Sequence, residues 1–268
     1  MRERVFLKLG GSAITDKRRD HTPRMEVIIR AARELAAARA ARPDLDLVLG
    51  HGSGSFGHFE AARYGVRQGC GEDWTGYAAT GAAAGRLNRL VTDALLEAGL
   101  PAVSLQASAS ARCRDGVLEW MADEPVDTLL AHRLVPLVYG DVALDAVRGC
   151  TIVSTEQILT YLARRRAPRR IVMVGEVAGV FTHDPQRDAD ARRIPEIRAG
   201  DLGAVADGLS ASHGVDVTGG MLDKVRTLCA LVSEIPGLTV RLISAHEPGL
   251  IERVLCDETL QVGTLIRR

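Results

Sequence analysis

Short strands that are apolar from end to end, and then break into glycine, recur along this 268-residue chain with helical segments between them. Strands are expected at Val5 to Leu9, Leu45 to Leu49, Ala102 to Leu105, Leu134 to Tyr139, Arg170 to Val174, Thr239 to Ile243 and Gln261 to Ile266. Helical spacing predicts helices over Pro23 to Ala41, Trp74 to Ala98, Thr155 to Arg166, Asp201 to Leu209, a segment ending near Ser233, and Pro248 to Leu255. Strands that lack polar alternation are buried on both faces. The pattern therefore predicts an α/β protein whose helices cover both sides of a largely parallel sheet. Such sheets bind ligands beyond the carboxyl ends of their strands. Here those ends are the loops after Leu9, Leu49, Tyr139 and Val174.

Composition narrows what can bind there. The formal net charge is zero, which gives no electrostatic case for nucleic acid or a membrane surface, and no apolar run approaches the roughly 20 residues of a membrane span. Any anion must be held locally. Cys70, Cys113, Cys150, Cys229 and Cys256 are odd in number, far apart and free of C-x-x-C spacing, so they read as reduced thiols in a cytoplasmic protein. The N-terminus lacks the pattern of a secretory signal.

Among 34 Lys plus Arg, lysine occurs only at Lys8, Lys17 and Lys224, each in or beside a glycine-rich segment. An ammonium is a compact charge on a flexible stem, suited to following a moving phosphoryl group where a planar guanidinium is less so. Gly10 and Gly11 let backbone N–H groups turn toward an anion, and Thr218 to Lys224 opens a helix whose free N–H groups favour phosphate. The second glycine segment, Gly50 to His58, holds a formal G-x-G-x-x-G at Gly52, Gly54 and Gly57, but no strand ending in an acid follows it at the distance a dinucleotide fold requires. There is no Walker-type G-x-x-x-x-G-K-[ST], no G-x-S-x-G and no H-E-x-x-H. Phosphoryl transfer needs charge neutralisation and in-line positioning more than a covalent nucleophile, and these residues offer both. If the acceptor is itself a phosphate, it needs no general base, and His58 becomes a donor to it. The small-residue face Tyr77 to Ala84 reads as close helix packing, as a slot for a short apolar tail, or as both.

KLGGS with a lysine nine positions after the first, a G-x-G-S-F-G-H loop, YGDV, and VTGGM-x-x-K together resemble the amino acid kinase superfamily, most closely its isopentenyl phosphate kinase branch. The resemblance spans nearly the whole chain. It implies one carbamate-kinase-like three-layer α/β/α sandwich over 1–268, with an acceptor lobe to about 165 and an ATP lobe beyond, usually as a homodimer. It implies ATP and Mg²⁺, with isopentenyl phosphate converted to isopentenyl diphosphate in isoprenoid precursor synthesis. By motif, Lys8, Gly10, Gly11 and Ser12 would face the ATP phosphates, and Lys17 would stabilise the transition state. Gly220 and Lys224 would close on the β and γ phosphates. Gly52, Gly57, His58 and Gly140 would hold the acceptor, with Ser53 beside the transferred group, and Asp141 would orient Lys8. Tyr77, Thr80, Gly81 and Ala84 would line the prenyl tail. No residue is expected to ligate a metal directly.

Two positions depart from the family pattern. Ser53 stands in place of a glycine, and Glu176-Val177-Ala178-Gly179 replaces Asp-Val-Asp-Gly in the nucleotide loop, leaving the roles of Glu176 and Gly179 open. A fosfomycin-type phosphonate kinase would share His58 but want a more polar acceptor pocket. A nucleotide-binding sensor without turnover is the reading from another class. His21, His51, His132, His183, His213 and His246 show no ligand spacing and read as structural or exposed. Asp184 is a turn former or a nucleotide contact, and Arg164 to Arg166 with Arg169 and Arg170 read as a solvated helix end.

Overall fold

Strand β1 (Glu3–Leu9) lies in the middle of the molecule, hydrogen-bonded in parallel to β2 (Leu45–His51) on one edge and to β9 (Arg170–Gly175) on the other. The computed structural model describes residues 2–183, 185, 188, 190–203 and 220–268. From β2 the main sheet continues through β6 (Val135–Tyr139) to β3 (Ala102–Leu105). From β9 it continues through β11 (Thr239–Ser244) and β12 (Thr264–Arg267) to β10 (Glu196–Arg198), making eight strands. Every pairing in it is parallel except β11 with β12.

The two faces follow from strand alternation. Val5, Leu7 and Leu9 point into one apolar cluster and Phe6 into the other, all at 5% exposure or less. The first cluster is closed by α2 (Met25–Ala41), α4 (Thr75–Glu97) and α8 (Leu250–Cys256). The second is closed by α5 (Glu124–Ala131), α6 (Thr155–Arg166) and α7 (Gly220–Glu234). Helix α2 shows why: Val27, Ile28, Ala31, Ala32, Leu35 and Ala38 are buried at three- and four-residue spacing, and its chain leaves the helix just before Pro43. The result is the three-layer α/β/α arrangement.

Several elements differ from the sequence expectation. Only Gly52 and Ser53 remain as loop in the second glycine segment, because β2 runs on to His51 and helix α3 (Gly54–Tyr64) starts at once. A short turn of helix, α1 (Gly11–Ile14), likewise follows β1. After Tyr139 the chain forms the hairpin β7 (Asp141–Asp145) and β8 (Gly149–Val153). It joins β4 (Arg112–Arg114) and β5 (Val117–Trp120) in a second, four-stranded sheet. Asp145 organises both of that sheet's turns, accepting backbone N–H bonds from Asp115, Gly116, Val147 and Arg148 at 2.7–3.0 Å.

Two readings are corrected. Cys70 and Cys150 form a disulfide, with Cα atoms 5.5 Å apart, so the five cysteines are not all thiols. The arginine run is a solvated helix end only in part: Arg164, Arg165 and Arg169 are exposed, whereas Arg170 is buried against Glu3 and Arg166 is buried too. The Arg166 side chain is 6% exposed and pairs with Asp123 and Asp127, while Arg165 reaches Asp123 at 2.7 Å. Of the expected helix at Asp201 to Leu209, only 201–203 are described. Asp184, His213 and 217–219 also lie outside the described residues.

Candidate active site

The first two glycine segments touch each other backbone to backbone at the carboxyl ends of β1 and β2. A Cβ on Gly11 would meet Gly54 Cα at 2.8 Å, and one on Gly52 would meet the Gly11 nitrogen at 2.7 Å. Only glycine permits this approach. Thr15 locks the two segments together: its hydroxyl donates to the Gly11 carbonyl (2.7 Å) and accepts from the Ser55 N–H (2.9 Å). Gly52 N–H donates to Leu9 carbonyl at 3.0 Å, and Gly10 N–H to Val174 carbonyl at 2.7 Å, so all three central strands share the junction. The N-terminus of the 11-residue helix α3 therefore opens beside α1, its dipole favourable for an anion, with the Ser55 N–H taken by Thr15 and the Phe56 and Gly57 N–H groups by the Ser53 carbonyl.

Lys8 leaves β1 toward α6, where its ammonium pairs with Glu156 in the first turn. Burial would raise the Glu156 pKa, but the charges of Lys8 and Lys224 and the Lys8 hydrogen bond outweigh it and hold the carboxyl down at about 2. Two of the three lysines thus converge on one carboxylate. Lys17 stands apart, exposed on the excursion that Thr15 and Pro23 close. His58 is exposed on the second turn of α3, and Ser12 is half-buried in α1.

Asp141 does not orient Lys8. Its carboxylate accepts from the N–H groups of Val142 (2.8 Å) and Ser108 (3.1 Å), and burial raises its pKa despite those bonds. It faces the small-residue helix instead: a Cβ on Gly81 would lie 3.1 Å from Val142 and 3.6 Å from Asp141 Oδ1. Tyr77 packs in a small cluster with Val66, Val142 and Cys150, while Ala84 is buried and Thr80 is buried with its hydroxyl unpartnered. Gly140 is buried, and a Cβ there would meet Thr155 Oγ1 at 3.2 Å and Ser53 N at 3.7 Å, which places it against the Gly52–Ser53 turn.

On the β9 side, Glu176 is occupied by Arg24 (3.0 Å to both oxygens) and by His246 (3.1 Å), so its carboxylate fastens the loop after β9 to the start of α2 and to the segment after β11. Gly179, at φ +142°, lies against the start of β12, where a Cβ would come within 3.1 Å of Thr264 N. Gly220 begins α7 at φ +69° and holds Lys224 one turn on. Sequence reasoning missed Glu156, Thr15 and Thr155. The available signal was the buried strand position of Lys8, which demands a carboxylate near a strand end.

Among the described residues, ligand atoms of three His, Cys, Asp or Glu side chains gather only at Asp20, His21 and Glu60, away from Lys8 and Glu156. No helix among the described residues is long and apolar enough to cross a membrane.

Comparison with known proteins bears on the family and the fold. Residues 3–244 match the sequence model of the Amino acid kinase family. The isopentenyl phosphate kinase of Haloferax volcanii is 40% identical over 93% of this chain and 98% of its own, and that of Methanothermobacter thermautotrophicus is 35% identical over 98% of each. An X-ray structure of an isopentenyl phosphate kinase superposes with a TM-score of 0.82 at 32% identity, covering 98% of this chain and all of that one. The chain belongs to the amino acid kinase family.

Proposed function

We propose that the protein transfers the γ-phosphoryl group of ATP to isopentenyl phosphate, giving isopentenyl diphosphate and ADP in isoprenoid precursor synthesis. The observation that carries this reading is the backbone contact between the Gly10–Gly11 and Gly52–Ser53 segments. It sets an anion-binding helix N-terminus beside the Lys8, Glu156 and Lys224 group. The near full-length similarity to isopentenyl phosphate kinases supports the choice of acceptor.

An oxygen of the acceptor phosphate attacks the γ phosphorus while the bond from that phosphorus to the β–γ bridging oxygen breaks, and ADP leaves with the electron pair. The acceptor is already ionised, so no side chain has to take a proton. Lys8 and Lys224 neutralise charge that gathers on the transferring oxygens, and Glu156 keeps Lys8 aimed. Lys17 and His58 complete the group by approaching the transferring and acceptor phosphates. Gly52, Gly57 and Gly140 leave backbone room at the acceptor, and Tyr77, Thr80, Gly81 and Ala84 enclose its tail, with Asp141 bracing β7 behind them. Gly10, Gly11, Ser12, Ser53, Glu176, Gly179 and Gly220 frame the nucleotide side.

The donor set fits Mg²⁺ delivered as its nucleotide complex, because the Glu156 carboxylate is committed to Lys8 and offers no protein cage. Bound there, Mg²⁺ would neutralise phosphate oxygens. We assign residues to about 165 to the acceptor half and those beyond to the ATP half, with β1 as the seam, in a homodimer.

An ADP-release assay with isopentenyl phosphate, fosfomycin and UMP tests the reading. Turnover should strongly favour isopentenyl phosphate. A preference for fosfomycin would reassign the acceptor to phosphonates, and tight ATP binding without turnover of any acceptor would mark a sensor.

A further inference from the structure

Resting on this placement of the acceptor, we infer that His51 is a positioning residue that couples the acceptor's phosphate turn to the helix carrying its tail pocket. His51 is the last residue of β2 and is completely buried. Its ring lies flat on Tyr139, with centroids 5.6 Å apart and planes 7° apart. Nδ1 is 3.1 Å from the Gly52 carbonyl, and Nε2 is 3.1 Å from the side-chain amide of Asn88. The backbone carbonyl of the same residue accepts from Gly140 N–H at 3.1 Å and from the Thr155 hydroxyl at 2.6 Å. One residue therefore joins the acceptor turn, α4, the β6–β7 junction and the residue next to Glu156.

The protons can be placed. Burial lowers the basicity of His51, so the ring is neutral and carries one N–H. The Gly52 carbonyl can only accept, which puts that proton on Nδ1 and leaves Nε2 as an acceptor. In the structure Asn88 turns Oδ1 to Nε2 and Nδ2 to Ser104 Oγ at 2.6 Å, but the two ends of an amide are distinguished only by their partners, so the neutral Nδ1–H ring reassigns it with NH₂ toward Nε2 and its oxygen accepting from the Ser104 hydroxyl. The chain runs from Ser104 on β3, through Asn88 on α4 and the imidazole, to the Gly52 carbonyl. Every group in it is satisfied, and it has one sense.

Asn88 lies one helical turn beyond Ala84 and two beyond Thr80 and Gly81 on the same helix. A shift of α4 on seating a tail is carried by a rigid, buried link to the turn beneath the acceptor phosphate. A residue that served only packing would show no such directional chain.

His51→Phe keeps the stack on Tyr139 but removes both ring hydrogen bonds, whereas His51→Gln can donate to Gly52 and accept from Asn88. Asn88→Leu cuts the chain one step away and serves if the Phe variant does not fold. We expect the KM for isopentenyl phosphate to rise roughly 10- to 100-fold in His51→Phe and Asn88→Leu, as for loss of a buried hydrogen-bond partner. The KM for ATP should stay within about 2-fold, and His51→Gln should recover most of the loss. Equal rises in both KM values, or no difference between Phe and Gln, would overturn the proposal. Nitrogen NMR of the wild-type imidazole should show the neutral Nδ1–H form, and the Nε2–H form would also overturn it. Absence of wild-type turnover would instead refute the acceptor reading. In that event the tautomer, together with calorimetric binding of inorganic phosphate to wild type and Asn88→Leu, still decides the role of His51: weaker binding in the variant supports it, and equal binding refutes it.

Discussion

Glu156 answers a demand that Lys8 creates. A lysine on a buried strand must keep its charge compensated, and removing one partner of such a pair costs far more than the pair itself contributes. We expect Glu156→Gln to cut turnover by at least ~10²-fold, in the range of a lost electrostatic group in an enclosed site. Asp141→Asn, which touches Ser108 and Val142, should alter acceptor affinity much more than turnover; an ADP-release assay under saturating substrates separates the two. His58→Ala should also lose at least ~10²-fold in the same assay if its imidazole donates to the acceptor phosphate. Lys8 and Lys224 were legible because lysine is so rare in an arginine-rich chain. Glu156 was not, since an acidic residue in the first turn of a helix is ordinary and its partner lies 148 positions away. His51 read as structural for the same reason: nothing local in GHGSG reveals that Asn88 and Thr155 converge on it.

At the scale of elements, the long apolar strands and helices α2, α4 and α6 could be read from periodicity, whereas α3, α5 and the β7–β8 hairpin could not. Helix α3 opens with Gly-Ser-Phe-Gly, which has the composition of a loop, and it is held helical by the junction with α1 that Thr15 fastens. The β7–β8 turn lacks an Asn-Gly type signal, and Asp145 supplies its order instead. Gly52→Ala should destabilise the fold by about 1–3 kcal/mol, as overpacking does, and abolish most turnover, because its Cβ meets backbone rather than a mobile side chain. Denaturant unfolding and the ADP assay give the two readouts. The Cys70–Cys150 bond closes a sequence separation of 80 residues, for which chain entropy suggests roughly 4 kcal/mol. Reduction with dithiothreitol, or Cys150→Ser, should lower the calorimetric melting temperature by several degrees. The same reductant should leave the melt of Cys150→Ser unchanged.

For the whole molecule, acid is the informative stress. Glu156, Asp123 and Asp145 all have folded pKa values below their unfolded ones: burial pushes each upward, but the lysines, the arginines and four backbone N–H groups respectively prevail. Their contribution is complete above the unfolded carboxylate values near 4.5 and 3.8 and is lost as pH falls through the folded ones. Asp141 has the opposite sign, its raised pKa returning some stability as it protonates. Stability against urea should therefore fall between pH 5 and about pH 2, and Glu156→Gln should flatten that slope. Strand β1 lends the assembly one more property. It is laddered on both edges, so the lysine it carries is fixed by two neighbouring strands and not by a loop. On the proposed reading the tail is chosen on α4 and the β7–β8 hairpin, neither of which pairs with β1. A lineage can thus exchange one organic phosphate for another through a few substitutions in those two elements while the transfer chemistry is inherited unaltered.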